Sequence, residues 1–291
     1  MNGKVRSKDK IKSEINILST MDHPNVAKLV RWFENEQNIY ILMELCENKC
    51  MVDLVRTRRR LTEIETRSYI AQLVKGIQYI HSKRVVHRDL KLGNLFLNAS
   101  MQLKIGDFGL SEIVNENNDK LTSLSGTPNY IAPEILTDKT GHSFEVDIWA
   151  IGVIAYTLLV GVPPFQSKTS KATWSKIKRV IYTYPLAINL SNEWKDLIDN
   201  ILQRDPAKRL KLDQILDHPF MKIPYPELWP ASTLHEPLID CKKYMIMPAS
   251  IASRARSVVE LRRNVRDKLK LQNSDDDNAK DIQELVEAES K

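Results

Sequence analysis

Cysteine and glycine are both scarce in this 291-residue chain. The three cysteines, Cys46, Cys50 and Cys241, are irregularly spaced and form no CxxC pair, which is not typical of a disulfide framework or a zinc site. A reducing compartment fits this usage. Of the nine glycines only Gly3 precedes residue 76, so the first 75 residues contain no GxGxxG loop of the kind that cradles nucleotide phosphates.

Long apolar runs are missing too. The longest, residues 148–160, is shorter than the about 20 residues that a membrane-spanning helix needs, and it predicts a buried helix instead. The first fourteen residues are polar and carry no apolar core of a secretory signal. We therefore expect no membrane partner.

Neither sign of charge is in large excess. The formal net charge is +6, which does not by itself predict a nucleic-acid partner, and we expect none. Much of the excess lies in residues 56–60 and 254–270. A solvated surface is the simplest interpretation of such runs, and a site for acidic peptides or phosphate is the alternative.

The first part of the chain predicts one helix and a hairpin. Residues 9–20 place Ile11, Ile15 and Leu18 on one helical face. Two strand-like runs, 26–33 and 38–45, follow and are joined by a polar turn, as in a β-hairpin.

The rest of the chain predicts mainly helices. Thr62 and Glu65 form a capping box at the start of a long helix. Its buried face is predicted to carry Ile70, Leu73, Val74, Ile77 and Ile80. Short strands at 94–97 and 102–105 precede a loop and a helical region that runs to about residue 221. Strands early and helices late indicate an α+β fold with two unequal lobes.

Three motifs in order carry the chemistry. HRDLKLGN occupies residues 87–94, Asp107-Phe108-Gly109 follows the strand at 102–105, and Ala132-Pro133-Glu134 ends 25 residues after Gly109. A lone HRD would be a weak signal, since each of these residues is also common in turns. The ordered set at this spacing is specific.

The residue types suit phosphoryl transfer. The Asp89 carboxylate can orient a hydroxyl nucleophile, and Lys91 can steady the transferred phosphate as a point charge. Asn94 and Asp107 offer the amide and carboxylate oxygens that Mg²⁺ prefers. The sequence therefore predicts a site that works by positioning and charge neutralisation.

On these motifs the chain resembles the eukaryotic protein kinase superfamily, over about residues 10–221. The lysine of HRDLK is the form seen in serine/threonine kinases. Within the superfamily the strings GTPNYIAPE at 126–134 and GHSFEVDIWAIG at 141–152 are most similar to the polo-like kinases. The resemblance implies a two-lobed fold, ATP and Mg²⁺ as ligands, and protein substrates that carry Ser or Thr acceptors.

The resemblance also assigns an ATP site. It implies that Glu14 is the glutamate of the regulatory helix and that Met43 is the gatekeeper. Glu44 to Cys46 would be the hinge that binds adenine through its backbone. Either Leu95 or Phe96 would lie beneath the adenine.

Several residues are implied to have structural roles. His87 and Phe108, with Leu18 and Leu29, match the hydrophobic spine of kinases, which Asp147 anchors. Gly109 completes the DFG motif. Glu134 and Arg209 match the buried ion pair of the large lobe.

The activation segment implies regulation by phosphorylation. Polo-like kinases carry a threonine four residues before the threonine of GTPNY, and here Ser123 stands at that position beside Thr122. Phosphate placed there by an upstream kinase would pair with Arg88 of HRD. Thr127 would pack near Asp89 and select Ser/Thr acceptors.

The family's glycine loop and its following lysine have no counterpart here. Lys4, the superficial candidate for that lysine, lies only ten residues before Glu14. The catalytic lysine–glutamate pair is needed for transfer. The chain is therefore expected to be a truncated gene model, a fragment, or a kinase with a reduced small lobe.

We divide the chain into a partial small lobe, 1–45, a large catalytic lobe, 46–223, and a linker or tail with amphipathic helices, 224–291. The expected function is a cell-cycle serine/threonine kinase of the nucleus and cytoplasm, by resemblance at the spindle pole or centrosome. The alternative is a kinase-shaped docking module deficient in ATP handling, or a fragment of a longer kinase.

Overall fold

The structure, a computed structural model, describes residues 8–114, 120–121, 126–137 and 141–237. Its first elements are helix α1 (Lys8–Ser19) and the antiparallel strands β1 (Leu29–Glu34) and β2 (Ile39–Met43). α1 buries Ile15, Ile17 and Leu18, and Lys12 on α1 forms an exposed ion pair with Glu34 on β1. The predicted helix and hairpin are both present.

The hairpin sheet has two strands among the described residues, and five of its apolar side chains remain 40–65% exposed. They are Val30, Trp32, Phe33, Tyr40 and Leu42. Each strand is shorter than predicted. Val26, which was expected in β1, instead forms a parallel bridge with Ile105 of β5. The residues before β1 therefore pair with the large lobe and not with β2.

Helix α3 (Glu63–Ser82) is the long helix predicted from the capping box. The Thr62 hydroxyl accepts the N–H of Glu65, and the Glu65 carboxylate accepts the N–H of Thr62. All five predicted core positions on this helix are at most 1% exposed. Helix α2 (Met51–Arg58), which precedes it, was not predicted, because its eight residues carry only three buried side chains and too short a periodic pattern.

Short strands build the platform for the site. β4 (Leu95–Leu97) pairs with β5 (Leu103–Ile105), and β3 (Val85–Val86) pairs with β6 (Glu112–Ile113). β3 and β6 were not predicted, since a two-residue strand leaves no alternation to detect. A 3₁₀ turn, Leu92–Asn94, leads into β4.

The helical part of the fold surrounds α5 (Glu145–Val160), whose residues from Val146 to Leu159 are all buried. This is the run that was predicted to be a buried helix. No described helix is long and apolar enough to cross a membrane. The remaining helices are α4 (Pro133–Thr137), α6 (Ser170–Arg179), α7 (Asn192–Ile201), α8 (Leu212–Asp217) and α9 (Pro219–Lys222).

Residues 224–237 form an extended strap that packs on α3, with a 3₁₀ turn at Ala231–Leu234. Ser68 donates to the carbonyl of Pro226 at 2.7 Å and accepts the indole N–H of Trp229 at 3.0 Å. Arg58 donates to the carbonyl of Thr233. The strap, assigned to the tail on sequence grounds, therefore shares the core of the large lobe. The predicted amphipathic helix of the tail lies outside the described residues.

Candidate active site

Asp147, on the buried helix α5, holds the loop at 87–94 in place. Its two carboxylate oxygens accept the backbone N–H groups of His87 and Arg88, each at 2.9 Å, and one also meets His81 Nε2 at 2.8 Å. Burial opposes ionisation of Asp147, but the contacts with His81 and His87 outweigh it and hold the pKa of this carboxyl below its usual value. The anchor is thus a charged acceptor inside the core.

His87 connects this loop to the segment that carries Asp107. The ring is fully buried and packs on Phe108 with ring centroids 5.0 Å apart. Burial lowers the pKa of His87, which favours the neutral ring. Nε2–H then donates to the carbonyl of Gly106 at 3.1 Å, and Nδ1 accepts the N–H of Asp89 at 3.3 Å. One side chain therefore sets the position of both Asp89 and the residue before Asp107.

The Asp89 carboxylate contacts three side chains of the site. Thr127 donates to Oδ1 at 2.8 Å, while Lys91 Nζ and Asn94 Nδ2 contact Oδ2 at 2.5 and 3.2 Å. Lys91 also reaches the Thr127 hydroxyl at 3.2 Å. Asp89 is 6% exposed, so these contacts fix its orientation.

Asn94 and Asp107 have the oxygen ligands that fit Mg²⁺. Asn94 Nδ2 also donates to the backbone carbonyl of Asp89 at 2.9 Å, so the amide oxygen is the atom left to meet a cation. Asp107 has a positive φ of 60°, and its Oδ1 accepts the N–H of Gly109 at 3.3 Å. Among the described residues no group of three or more His, Cys, Asp or Glu side chains is placed to hold a metal ion, so phosphate and water oxygens would complete the shell.

Met43, the predicted gatekeeper, ends strand β2, and the predicted hinge, Glu44 to Cys46, follows it. Phe96 lies against Gly106, where an added Cβ would come within 2.8 Å of its ring. Leu95 is fully buried whereas Phe96 is half-buried, so of the two alternatives Phe96 is the residue left to line a nucleotide site. Burial raises the pKa of Cys46 to about 11, so its thiol stays protonated.

The family model of the protein kinase domain matches residues 2–221. The chain belongs to the protein kinase family. It is 49% identical to the probable serine/threonine-protein kinase CCRP1 of Zea mays, over 79% of this chain and 37% of the relative. It is also 49% identical to the serine/threonine-protein kinase polo of Drosophila melanogaster, over 75% of this chain and 38% of the relative. The cell cycle serine/threonine-protein kinase CDC5/MSD2 of Saccharomyces cerevisiae is 42% identical over 79% and 33%.

These matches confirm the predicted resemblance to serine/threonine kinases of the polo-like group. The chain spans less than half the length of the three relatives.

One charged residue that contacts the predicted hinge was missed in the sequence. Lys104, in the middle of β5, is 7% exposed and donates from Nζ to Glu44 Oε2 at 2.9 Å. Glu44 Oε1 accepts the N–H of Lys28 at 2.8 Å, and the N–H of Glu44 donates to the carbonyl of Lys28. A lysine flanked by Leu103 and Ile105 in a buried strand was the available signal, because such a charge needs a partner.

The structure describes the activation segment of the kinase except for residues 115–119 and 122–125. Thr127 lies beside Asp89 as expected, while Thr122 and Ser123 lie outside the described residues, as does Lys4. Arg88 donates to Glu112 Oε1 at 2.7 Å and to the carbonyl of Leu110 at 2.7 Å. Its pairing with a phosphate at Ser123 stays a prediction.

The structure also contains the predicted ion pair and places the predicted spine residues. Glu134 and Arg209 form the buried ion pair, with bonds of 2.7 and 2.6 Å. Leu18 is buried and Leu29 packs against the core, as expected of spine residues. Glu14 lies on α1.

Proposed function

We propose that this chain transfers the γ-phosphate of ATP to serine and threonine hydroxyls of protein substrates. The observation that carries the proposal is the Asp89 carboxylate, held by Thr127 on one oxygen and by Lys91 and Asn94 on the other. A carboxylate fixed in this way can orient an incoming hydroxyl and accept its proton. Lys91, which already lies beside Asp89 and Thr127, places positive charge where the phosphoryl group would pass.

Asn94 and Asp107 are the residues that would hold Mg²⁺. When bound, the ion neutralises charge on the phosphate oxygens of ATP. His87 keeps the two ligand segments in register, through Asp89 on one side and Gly106 on the other. Phe96 and the hinge supply an apolar surface and backbone groups for adenine.

A cell-cycle role is part of the proposal. It is supported by the identity to the proteins named polo and CDC5/MSD2. We further propose residence in the nucleus and cytoplasm, including the spindle pole or centrosome, and activation by an upstream kinase at Thr122 or Ser123. The support for these last points is the same likeness to polo-like kinases.

The test is phosphate transfer from radiolabelled Mg-ATP to dephosphorylated casein by the purified chain, followed by phosphoamino-acid analysis. Asp89→Asn keeps the shape of the side chain and removes its ability to accept a proton. We expect a loss of at least about 100-fold, since general-base catalysis contributes on the order of 10²–10⁴. Glu193→Gln, at an exposed carboxylate on α7, is the matched control.

The proposal requires label on serine or threonine that Asp89→Asn removes and Glu193→Gln retains. Folded protein that transfers no phosphate would contradict it, as would transfer that survives Asp89→Asn. Circular dichroism of all three proteins establishes that the comparison is between folded chains.

A further inference from the structure

One stretch of the chain carries positive charge and no negative charge. Between Asp147 and Glu193 there is no acidic residue, and there are five basic ones. This stretch therefore contributes +5, against a formal net charge of +6 for the whole chain. The basic residues all lie on helix α6 or in the turn before it: Lys168, Lys171, Lys176, Lys178 and Arg179.

Helix α6 presents much of this charge to solvent. Thr173 and Ile177 form its buried face, whereas Lys171 and Lys178 are exposed. These two lysines are seven residues apart, two turns along the same outer face, at a spacing of about 10 Å. Lys168, in the turn before α6, is also exposed and extends the positively charged area past the N-terminal end of the helix.

No salt bridge joins these five side chains to an acidic residue in the part of the chain that the structure describes. Lys176 donates to the carbonyl of Gln166, and Arg179 contacts Ser175. Asp199, which lies near the residues after α6, accepts hydrogen bonds from the hydroxyls of Tyr182 and Tyr184 instead. The positive charge is thus not neutralised within the described fold.

The stability of α6 explains only part of this pattern. Lys176, Lys178 and Arg179 lie in the last turn, where the helix dipole favours positive charge. Lys168 and Lys171 lie at the opposite end, where the dipole disfavours it, and the first turn has no acidic residue. The positive charges of Lys168 and Lys171 therefore do not stabilise α6.

We propose that the basic surface, defined as Lys168, Lys171 and Lys178, binds an acidic segment of a partner protein. Carboxylates spaced along an extended chain match two ammonium groups about 10 Å apart, those of Lys171 and Lys178, and the positive end of the α6 dipole adds to the attraction. Ile181, 44% exposed directly after α6, offers contact to an apolar side chain of the same segment. A single exposed apolar residue suits a peptide better than a lipid surface, which needs a broader apolar face.

The position of α6 gives this surface a relation to catalysis. α6 packs on α4, and α4 follows Ile131 and Ala132 at the end of the activation segment. A partner bound there lies on the side of the lobe where that segment ends. Binding to the basic surface does not itself require the phosphoryl transfer proposed above.

The experiment measures fluorescence anisotropy of a labelled peptide of eight glutamates on titration with the full chain, at 50 and 300 mM salt. The test variant is Lys168→Glu/Lys171→Glu/Lys178→Glu. The matched control, Arg204→Glu/Lys208→Glu/Lys211→Glu, makes the same change in net charge at three exposed residues around α8. Each exposed ion pair is individually weak, but the test variant replaces three of the lysines at once. We therefore expect its affinity for the peptide to fall by about tenfold or more, whereas the control variant should bind within twofold of wild type.

Binding should weaken at 300 mM salt, and the corresponding triple glutamine variant should lie between wild type and triple glutamate. Equal losses in the test and control variants would show attraction to net charge alone and would overturn the proposal. So would binding only to anionic phosphatidylserine vesicles, or only to a single-stranded oligonucleotide. Asp89→Asn should bind the peptide like wild type, which separates this result from the outcome of the transfer assay.

Discussion

Glu44 and Lys104 join the hinge to the strand that leads to Asp107. Their side chains meet at 2.9 Å, with Lys104 almost wholly buried and Glu44 one-quarter exposed. The other oxygen of Glu44 accepts the backbone N–H of Lys28, so one carboxylate ties together β5, the hinge and the segment before β1. The hinge is therefore positioned by a charge pair as well as by packing.

Lys104→Met should destabilise the protein by about 1–3 kcal/mol, because it leaves the Glu44 carboxylate without its main partner. We also expect a higher KM for ATP with a smaller change in kcat, since the hinge loses its support. Urea unfolding and steady-state kinetics measure the two effects. The double variant Glu44→Gln/Lys104→Met should recover part of the stability, and a double variant no more stable than Lys104→Met would contradict this account.

Arg209→Ala should cost about 3–5 kcal/mol of unfolding free energy, because it leaves the buried Glu134 carboxylate unpaired. Arg209 is 4% exposed, also donates to the carbonyls of Gln203 and Glu145, and stacks on Trp149. Arg204→Ala, five residues away and exposed, should change stability by less than about 0.5 kcal/mol. Similar denaturation midpoints for the two variants would rule out a structural role for the pair.

Stability should fall as the pH is lowered from 7 to 5. Burial lowers the pKa values of His87 and His142 below the ordinary 6.5. Below pH 6.5 the unfolded chain therefore binds protons that the folded chain does not, and this favours unfolding. His142→Asn should reduce the slope of unfolding free energy against pH. An unchanged slope in urea titrations at pH 5, 6 and 7 would exclude His142 as a source.

Thr127→Val should lower kcat by about tenfold or more with little change in melting temperature. The substitution keeps the shape of the side chain but removes the hydroxyl that contacts Asp89 and Lys91. Thr127→Ser retains the hydroxyl and should retain most of the activity. Equal activity of the valine and serine variants would show that this contact does not position Asp89.

Removal of the strap should destabilise the large lobe. Trp229 is 3% exposed and bonded to Ser68, so Trp229→Ala should cost about 3–5 kcal/mol. A chain that ends at residue 223 should melt well below one that ends at residue 237. Equal melting temperatures for the two would place the edge of the folded lobe at 223, where the sequence predicted it.

The sequence was informative where a residue type or a period has one main physical explanation. The capping box at Thr62, the buried face of α3 and the apolar run of α5 each predicted an element that the structure contains. Elements of two to eight residues, such as α2, β3 and β6, were not predicted, because a segment this short does not show a periodic pattern of apolar residues. The contacts of the strap with the large lobe were not predicted, because its polar partners, Ser68 and Arg58, are distant in sequence.

By itself the sequence determined the fold class, the family and the order of Asp89, Lys91, Asn94 and Asp107, because phosphoryl transfer constrains those residue types and spacings. Tertiary structure alone decided that Leu95 is fully buried while Phe96 stays half-buried, and that Lys104 pairs with Glu44 across 60 residues. It also decided that the charges of α6 meet no acidic partner in the described fold. These contacts depend on which groups, distant in sequence, are buried next to one another. The periodic pattern of apolar residues along the chain does not contain this information.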